Sequence, residues 1–122
     1  LNLTLFDESL SAAANLRSVN EVPKKVWVFL VATYSGQGGH SGIALYMNGA
    51  RLPMGGGGND PGYIATENTS AGVGLAMYSD GVGLLQGQMA GGVLGPFYTK
   101  QKLTAEEIAE LYRLGRVALN LP

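Results

Sequence analysis

The chain has 122 residues, enough for one domain with a single modest core. Its 19 glycines exceed twice the usual share of about 7%, which predicts many turns and close backbone approaches. Cysteine is absent, so disulfides, thiolate catalysis and zinc-thiolate sites are excluded. With a formal net charge of −1 and no basic cluster larger than Lys24-Lys25, the sequence argues against nucleic acid and anionic membranes as partners.

The beginning of the chain predicts two strands. Leu1, Leu3 and Leu5 alternate with polar residues, as expected of a half-buried strand. Residues 9–18 are open to two interpretations, because the alanines at 12–14 have helix propensity while residues 10, 12, 14 and 16 form an apolar strand face. We favour the strand.

The middle of the chain predicts a core strand and a hairpin. Residues 26–34 are apolar on both faces, which predicts a central strand buried on both sides. The longest apolar run, residues 26–32, is far shorter than the roughly 20 residues of a membrane-spanning helix, which predicts a soluble protein. Residues 43–49 predict a strand that ends in a tight turn at Asn48-Gly49. Four consecutive glycines within residues 53–62 predict a long flexible or functional loop.

The last third predicts a strand at residues 72–78, a turn at 79–81, one bent strand or two over residues 84–98, and then a helix. Thr104 is a good N-cap, Glu107 completes a capping box, and Leu103 can pack on Ile108 as a hydrophobic staple. Gly115 predicts the left-handed stop of this helix.

Three motifs together carry a family resemblance. They are the Trp27-bearing strand over residues 27–34, the hairpin Leu45-Tyr46-Met47-Asn48-Gly49, and the closing pattern Leu103, Thr104, Glu107, Ile108, Leu111 and Tyr112. In order and spacing, residues 25–116 resemble the C-terminal part of a laminin-G-like or concanavalin A-like jelly-roll domain. The resemblance implies an all-β, antiparallel jelly-roll β-sandwich with one short C-terminal helix, forming one domain over residues 1–122.

The N-terminal part is short for that family, which usually has several strands before the tryptophan. Either this is a minimal version, or the missing strands lie upstream in a longer polypeptide or come from a neighbouring subunit. The chain begins at Leu1 without the basic start of a signal peptide, which favours a processed product or one part of a longer chain.

The acidic residues do not predict an enzyme. Relatives that hydrolyse glycosides alternate acids along one strand, and no predicted strand here has that pattern. Glu106, Glu107 and Glu110 fall on the capped helix, where acids interact favourably with the N-terminal dipole and Glu110 can meet Arg113. We therefore predict no catalytic residues.

The sequence predicts no resident metal, with calcium left open. His40 is the sole histidine, so a transition-metal site or a His-based nucleophile lacks its partners. The resemblance implies that an Asp and loop carbonyls could hold calcium, and Asn59, Asp60 and Asp80 are the candidates. Their interpretation as ordinary turn residues is favoured.

The predicted ligand-binding residues lie on or beside loops and combine aromatic rings with polar groups, which suits sugars or protein partners. They are Tyr46, Asn59, Asp60, Tyr63, Tyr78 and Asp80. The alternative is that the tyrosines pack at the rim of the sandwich.

The resulting hypothesis is a non-catalytic recognition module that binds carbohydrate or a protein surface within a larger exported or viral-particle protein. Its expected location is extracellular or in a virion. The alternative is a structural phage capsid-decoration or tail domain that is completed by neighbouring subunits, because a doubly apolar Trp27 strand would otherwise expose hydrophobic surface. In both cases a homo-oligomer or neighbouring subunits are expected partners.

Overall fold

The computed structural model describes residues 1–66, 78–79, 85–86 and 91–121. The chain divides into two compact units, one made of Leu1–Glu67 with Gln101–Pro122 and the other of Asn68–Lys100. The first unit contains two three-stranded antiparallel sheets and one C-terminal helix, so the described chain is mostly β. No helix in the described residues is long and apolar enough to span a membrane.

Sheet A contains β1 (Asn2–Asp7), β2 (Ala12–Ser18) and β6 (Met54–Asn59), in the order β1-β2-β6. In the antiparallel β1–β2 pair, Asn2 lies opposite Arg17 and Asp7 opposite Ala12. The buried residues of β2 alternate as a strand requires, so the predicted strand within residues 9–18 is confirmed.

Strand β6 corrects the prediction of a loop over residues 53–62. A Cβ atom at Gly57 would lie 2.7 Å from the backbone oxygen of Asn15, and one at Gly55 would lie 2.8 Å from the backbone nitrogen of Val19. The glycines therefore allow β6 to lie against β2 more closely than other residues could. Hydrogen bonds to β2 offset the entropy lost by ordering this segment, which was the reason for predicting a loop.

Sheet B contains β3 (Leu30–Tyr34), β4 (Ile43–Met47) and β5 (Ala50–Arg51), in the order β3-β4-β5. A single 3-10 turn, His40–Gly42, precedes β4. Met47 pairs with Ala50 across the predicted turn, in which Asn48 and Gly49 have φ of 51° and 79°. The two-residue hairpin is thus confirmed, because both central residues adopt the left-handed conformation that this turn requires.

The central, doubly buried strand is β4, and the prediction for residues 26–34 is wrong in this respect. Regular strand begins only at Leu30, and the side chains of Val26 and Trp27 are 60% and 59% exposed. Within the described sheet β3 lies at an edge, so Val31 and Thr33 are buried while the alternate residues are not. Apolar composition on both faces did not determine strand position, because the order of strands in a sheet depends on tertiary pairing.

Two hydrophobic clusters place sheet B between sheet A and the helix. One cluster joins Leu16 of sheet A to Ile43 and Leu45 of sheet B, with leucines of β1 packed against it. The other lies on the opposite face of β4, where Tyr46 packs with Ile108 of the helix. Strand β4 therefore contributes alternate side chains to two cores.

Helix α1 (Ala105–Ala118) begins as predicted. The Glu107 amide donates to the Thr104 hydroxyl at 3.2 Å, and the Thr104 amide donates to the Glu107 carboxylate at 2.8 Å. Leu103 packs against the cluster that contains Ile108, as expected of a staple. Glu110 and Arg113 form the predicted ion pair, at 2.6 Å.

The helix ends later than predicted, with its left-handed stop five residues further along the chain. Gly115 lies inside it, and Asn120, with φ of 49°, takes the left-handed position. The Asn120 amide donates to the Val117 oxygen at 3.2 Å and the Leu121 amide to the Arg116 oxygen at 3.0 Å. This is the hydrogen-bond pattern of a Schellman motif, in which asparagine sometimes takes the position that glycine usually occupies.

The second unit has little regular structure among its described residues. Strands β7 (Tyr78–Ser79) and β8 (Leu85–Gln86) form an antiparallel pair. Residues 91–98, predicted as part of a longer strand, are not in a strand. The rest of the strands predicted at 72–78 and 84–98, and the turn at 79–81 apart from Ser79, lie outside the described residues.

Candidate functional site

The predicted site residues of the first unit are already engaged within the protein. Tyr46 is only 5% exposed, so its ring offers no face to a ligand. The Asn59 side-chain oxygen accepts a hydrogen bond from the His40 amide at 2.6 Å. The Asp60 carboxylate accepts one from the Ala13 amide at 2.9 Å. These three side chains stabilise the core and the loops, and they do not form one exposed cluster.

Tyr63 also interacts internally. Its hydroxyl lies 3.1 Å from the Thr66 hydroxyl. Burial raises the pKa of Tyr34, and a hydrogen bond and charge interaction with Tyr63 raise it further, against a smaller opposing effect of the Gly39 backbone. Tyr78 lies in β7 of the second unit, and Asp80 lies outside the described residues. Among the described residues no group of three or more His, Asp or Glu could hold a metal ion.

Asp7 is a buried carboxylate that the sequence did not single out. It is 3% exposed and lies at the end of β1. One carboxylate oxygen accepts from the Ser9 hydroxyl and the Leu10 amide, at 3.2 and 3.3 Å. The other accepts from the Ile64 and Ala65 amides, at 3.2 and 3.3 Å. Asp7 therefore joins the β1–β2 turn to a segment far along the chain.

The electrostatics of Asp7 follow from these contacts. Burial alone would raise the pKa of its carboxyl group, but the backbone amides of Ala65 and Ile64, the Ser9 hydroxyl and the Leu10 amide together lower it below the ordinary value. The ionised form is thus the one that the fold stabilises. All of its partners belong to the protein, which makes Asp7 a structural residue.

The side of sheet A that faces away from Leu16 carries exposed residues, among them Asn2 and Arg17. Strand alternation places one set of residues there, which we call the outer face of sheet A. Its members are Asn2, Thr4, Phe6, Ala13, Asn15, Arg17, Gly56 and Gly58.

Polar groups concentrate at one end of this face. The Asn2 side-chain amide donates to the Thr4 hydroxyl at 3.2 Å, and Asn2 lies opposite Arg17 in the neighbouring strand. An open depression of about 280 Å³ lies there, lined by Asn2, Asn15, Arg17, Gly56 and Gly57. Hydrogen-bond donors and acceptors therefore border a shallow space that is open to solvent.

The glycines of β6 leave this space open. A Cβ atom at Gly56 or Gly58 would meet nothing within 4 Å, whereas one at Gly57, on the other side of the strand, would meet the Leu16 side chain at 3.0 Å. Asn15 and Arg17 lie opposite Gly58 and Gly56. The polar side chains of β2 thus have a flat strip of exposed backbone beside them.

An aromatic ring lies at the other end of the face. Phe6 is 65% exposed and pairs with Ala13, whose small side chain does not cover it. An exposed ring on the same face as amides and a hydroxyl can stack on an apolar face of a ligand while the polar groups bind its hydroxyls. The alternation at residues 1–5 and 12–18 indicated two strands of this face. The third strand, β6, was not expected because its glycines predicted a loop.

Comparison with known proteins supplies no further constraint: no family model, curated protein or solved structure matches the chain.

Proposed function

We propose that the protein is a non-catalytic recognition module that binds carbohydrate on the outer face of sheet A. The observation that carries this proposal is the combination of an exposed ring, Phe6, with the amides of Asn2 and Asn15 on one uncovered sheet face. Sugars present both apolar ring faces and hydroxyl groups, and they match such a surface better than a purely apolar or purely charged ligand does. The proposal moves the site from the predicted loops to the sheet.

The resemblance noted in the sequence supports the same class. We propose that sheets A and B are the two sheets of a reduced jelly roll within a larger exported or viral-particle protein. The contact between them through Leu16, Ile43 and Leu45 supports that arrangement. A carboxylate pair suited to glycoside hydrolysis is not part of the outer face of sheet A, so the proposed role is binding without turnover.

A glycan array followed by NMR titration tests this proposal. The expected result is binding of at least one oligosaccharide, with amide shifts concentrated at Asn2, Asn15 and Arg17. A role of calcium in binding stays a prediction. A parallel titration with calcium tests it by showing whether binding requires that ion. Shifts confined to residues 59–63 would instead favour the loops, and no binding at millimolar sugar would contradict the carbohydrate proposal.

A matched pair of variants locates the site. Gly58→Leu adds a side chain to the open strip beside Asn15, where nothing lies within 4 Å. Gly115→Leu makes the same exchange on helix α1, also into open space and away from sheet A. We expect Gly58→Leu to abolish binding and Gly115→Leu to retain it, with both proteins folded by circular dichroism. Equal binding by the two variants would exclude this face.

The second candidate is a structural role completed by neighbouring subunits. It is supported by the exposed Val26 and Trp27, which precede β3 at the edge of sheet B. Exposed apolar residues beside a strand edge are suited to contact with another chain. Light scattering at micromolar concentration tests it: a stable monomer would contradict the version that requires neighbouring strands, while a concentration-dependent oligomer that Trp27→Ser dissociates would support it.

A further inference from the structure

Arg17 is the sole charged residue on the outer face of sheet A. Its neighbour across the β1–β2 pair is Asn2, and across the β2–β6 pair it is Gly56. In the part of the chain that the structure describes, Glu110 and Arg113 form an ion pair. Within the same residues Arg17 has no carboxylate partner. A guanidinium group is therefore exposed on a face that is otherwise neutral.

The surroundings of Arg17 suit an anionic group that presents two oxygens. A guanidinium presents its N–H donors in a fixed fork that matches two oxygens of a carboxylate or a sulfate. The Asn2 side chain, a neutral donor and acceptor, lies on one side of it, and the bare backbone of Gly56 lies on the other. The depression lined by these residues gives an anion room to approach without displacing a side chain.

The face is longer than one binding group. Arg17 and Asn2 form one end of the β1–β2 pair, and Phe6 lies four residues along β1 from Asn2. At about 3.3 Å per residue this separation is about 13 Å, longer than a single sugar ring. A ligand that reaches both ends must therefore be an oligosaccharide.

We propose that the ligand is an acidic oligosaccharide whose carboxylate or sulfate group binds Arg17 while a neighbouring sugar ring stacks on Phe6. This inference rests on the proposed carbohydrate function and adds the charge and the orientation of the ligand. Asn2 and Asn15 bind hydroxyl groups of the acidic sugar, and the glycine strip beside them accommodates its ring.

The test uses the full chain and three probes: an oligogalacturonate, its neutral methyl ester, and a sulfated oligosaccharide of similar length. Isothermal titration calorimetry compares their affinities at low and at physiological salt. We expect one of the two anionic probes to bind at least about tenfold more tightly than the neutral ester, the usual size of a charge-assisted hydrogen-bonded contact. Whether the carboxylate or the sulfate probe binds identifies the anion.

Variants assign the effect to Arg17. Arg17→Gln keeps hydrogen-bonding capacity but removes the charge, and Arg51→Gln makes the same exchange on β5 of sheet B. We expect Arg17→Gln to lower the affinity for the anionic probe to that of the neutral ester and Arg51→Gln to leave it unchanged. Added salt should weaken binding of the anionic probe to the unaltered chain and have little effect on Arg17→Gln.

The outcomes separate the two proposals. The neutral and anionic probes could bind the unaltered chain equally, and Gly58→Leu could lose the binding of both. This result would overturn the acidic-ligand inference and keep the carbohydrate function. Preference for the anionic probe that persists in Arg17→Gln would also overturn the inference, because the charge would then be bound elsewhere. If none of the probes or array glycans binds, the carbohydrate function itself fails, and the inference with it.

Discussion

Sheets A and B each have three antiparallel strands, but they differ in how the side chains on their two faces are packed. In sheet B, Leu45 packs towards sheet A while Tyr46 packs towards helix α1. In sheet A, Leu16 is buried and the neighbouring Asn15 and Arg17 point away from the core. A residue type alone therefore does not locate a site: Tyr46 has a ring suited to ligands but is buried beside the helix, whereas the ring of Phe6 is exposed.

The largest expected effect tests whether helix α1 covers sheet B. Ile108→Ala removes a fully buried side chain that packs with Tyr46, and such truncations destabilise by about 2–5 kcal/mol. Val117→Ala on the same helix is the control, because Val117 is 72% exposed and should change stability by less than about 0.5 kcal/mol. Urea unfolding measures both. Equal effects would mean that the helix does not close the second core.

The next effect tests the difference between the two faces of β6. Gly57→Ala directs a methyl group at the Asn15 oxygen, 2.7 Å away, and we expect a loss of about 1–3 kcal/mol. Gly58→Ala directs it into open space, and since alanine is less flexible than glycine in the unfolded chain, we expect a gain of about 0.4–1 kcal/mol. Thermal unfolding of the two variants should therefore shift in opposite directions, and equal shifts would contradict the assigned faces.

The sequence predicted the elements that depend on local chemistry. Thr104 and Glu107 define the helix start within four residues, and Asn48-Gly49 defines the hairpin within two. The face of β2 followed from alternation of apolar residues within one strand. In each case the interacting groups are close in sequence, so the pattern contains the information that the structure uses.

Elements that depend on distant partners were not predictable in this way. Strand β6 exists because Gly55 and Gly57 fit against β2, some 40 residues earlier in the chain. The burial of Asp7 depends on amides that are 57 and 58 residues away. The proposed site was not predictable for the same reason, since β6 contributes its backbone while β1 and β2 contribute its side chains.

A smaller effect, which depends on pH, tests the covered side of sheet A. The pKa of Asp7 is lower in the folded chain than in the unfolded chain, so its ionised form contributes stability above the ordinary value of 3.8. That contribution falls as the pH drops below this value and through the lowered folded pKa. We expect unfolding by urea to become easier over this range, and Asp7→Asn to be less stable at pH 7 but less sensitive to acid.

The outer face of sheet A provides the contrast for this measurement. Asn15→Asp places a carboxylate there, beside Arg17 on the same face of β2. This variant should keep the acid sensitivity that Asp7 gives to the unaltered chain, and the new carboxylate beside Arg17 adds to that sensitivity without replacing it. If Asp7→Asn retained the full pH dependence, the carboxylate would not be the group that joins residues 64 and 65 to β1.

The smallest effect concerns the end of the helix that covers sheet B. If Gly115 ended helix α1, alanine there would be strained and the protein would lose stability. Because Gly115 lies inside the helix with open space around its Cα, we expect Gly115→Ala to gain about 0.5–1 kcal/mol through helix propensity. Asn120→Ala should lose about 1 kcal/mol, since Asn120 holds the left-handed position. If thermal unfolding shows a gain in stability for Gly115→Ala and a loss for Asn120→Ala, the helix ends at Asn120. A loss of stability for Gly115→Ala would instead mean that the helix ends at Gly115, as the sequence alone predicts.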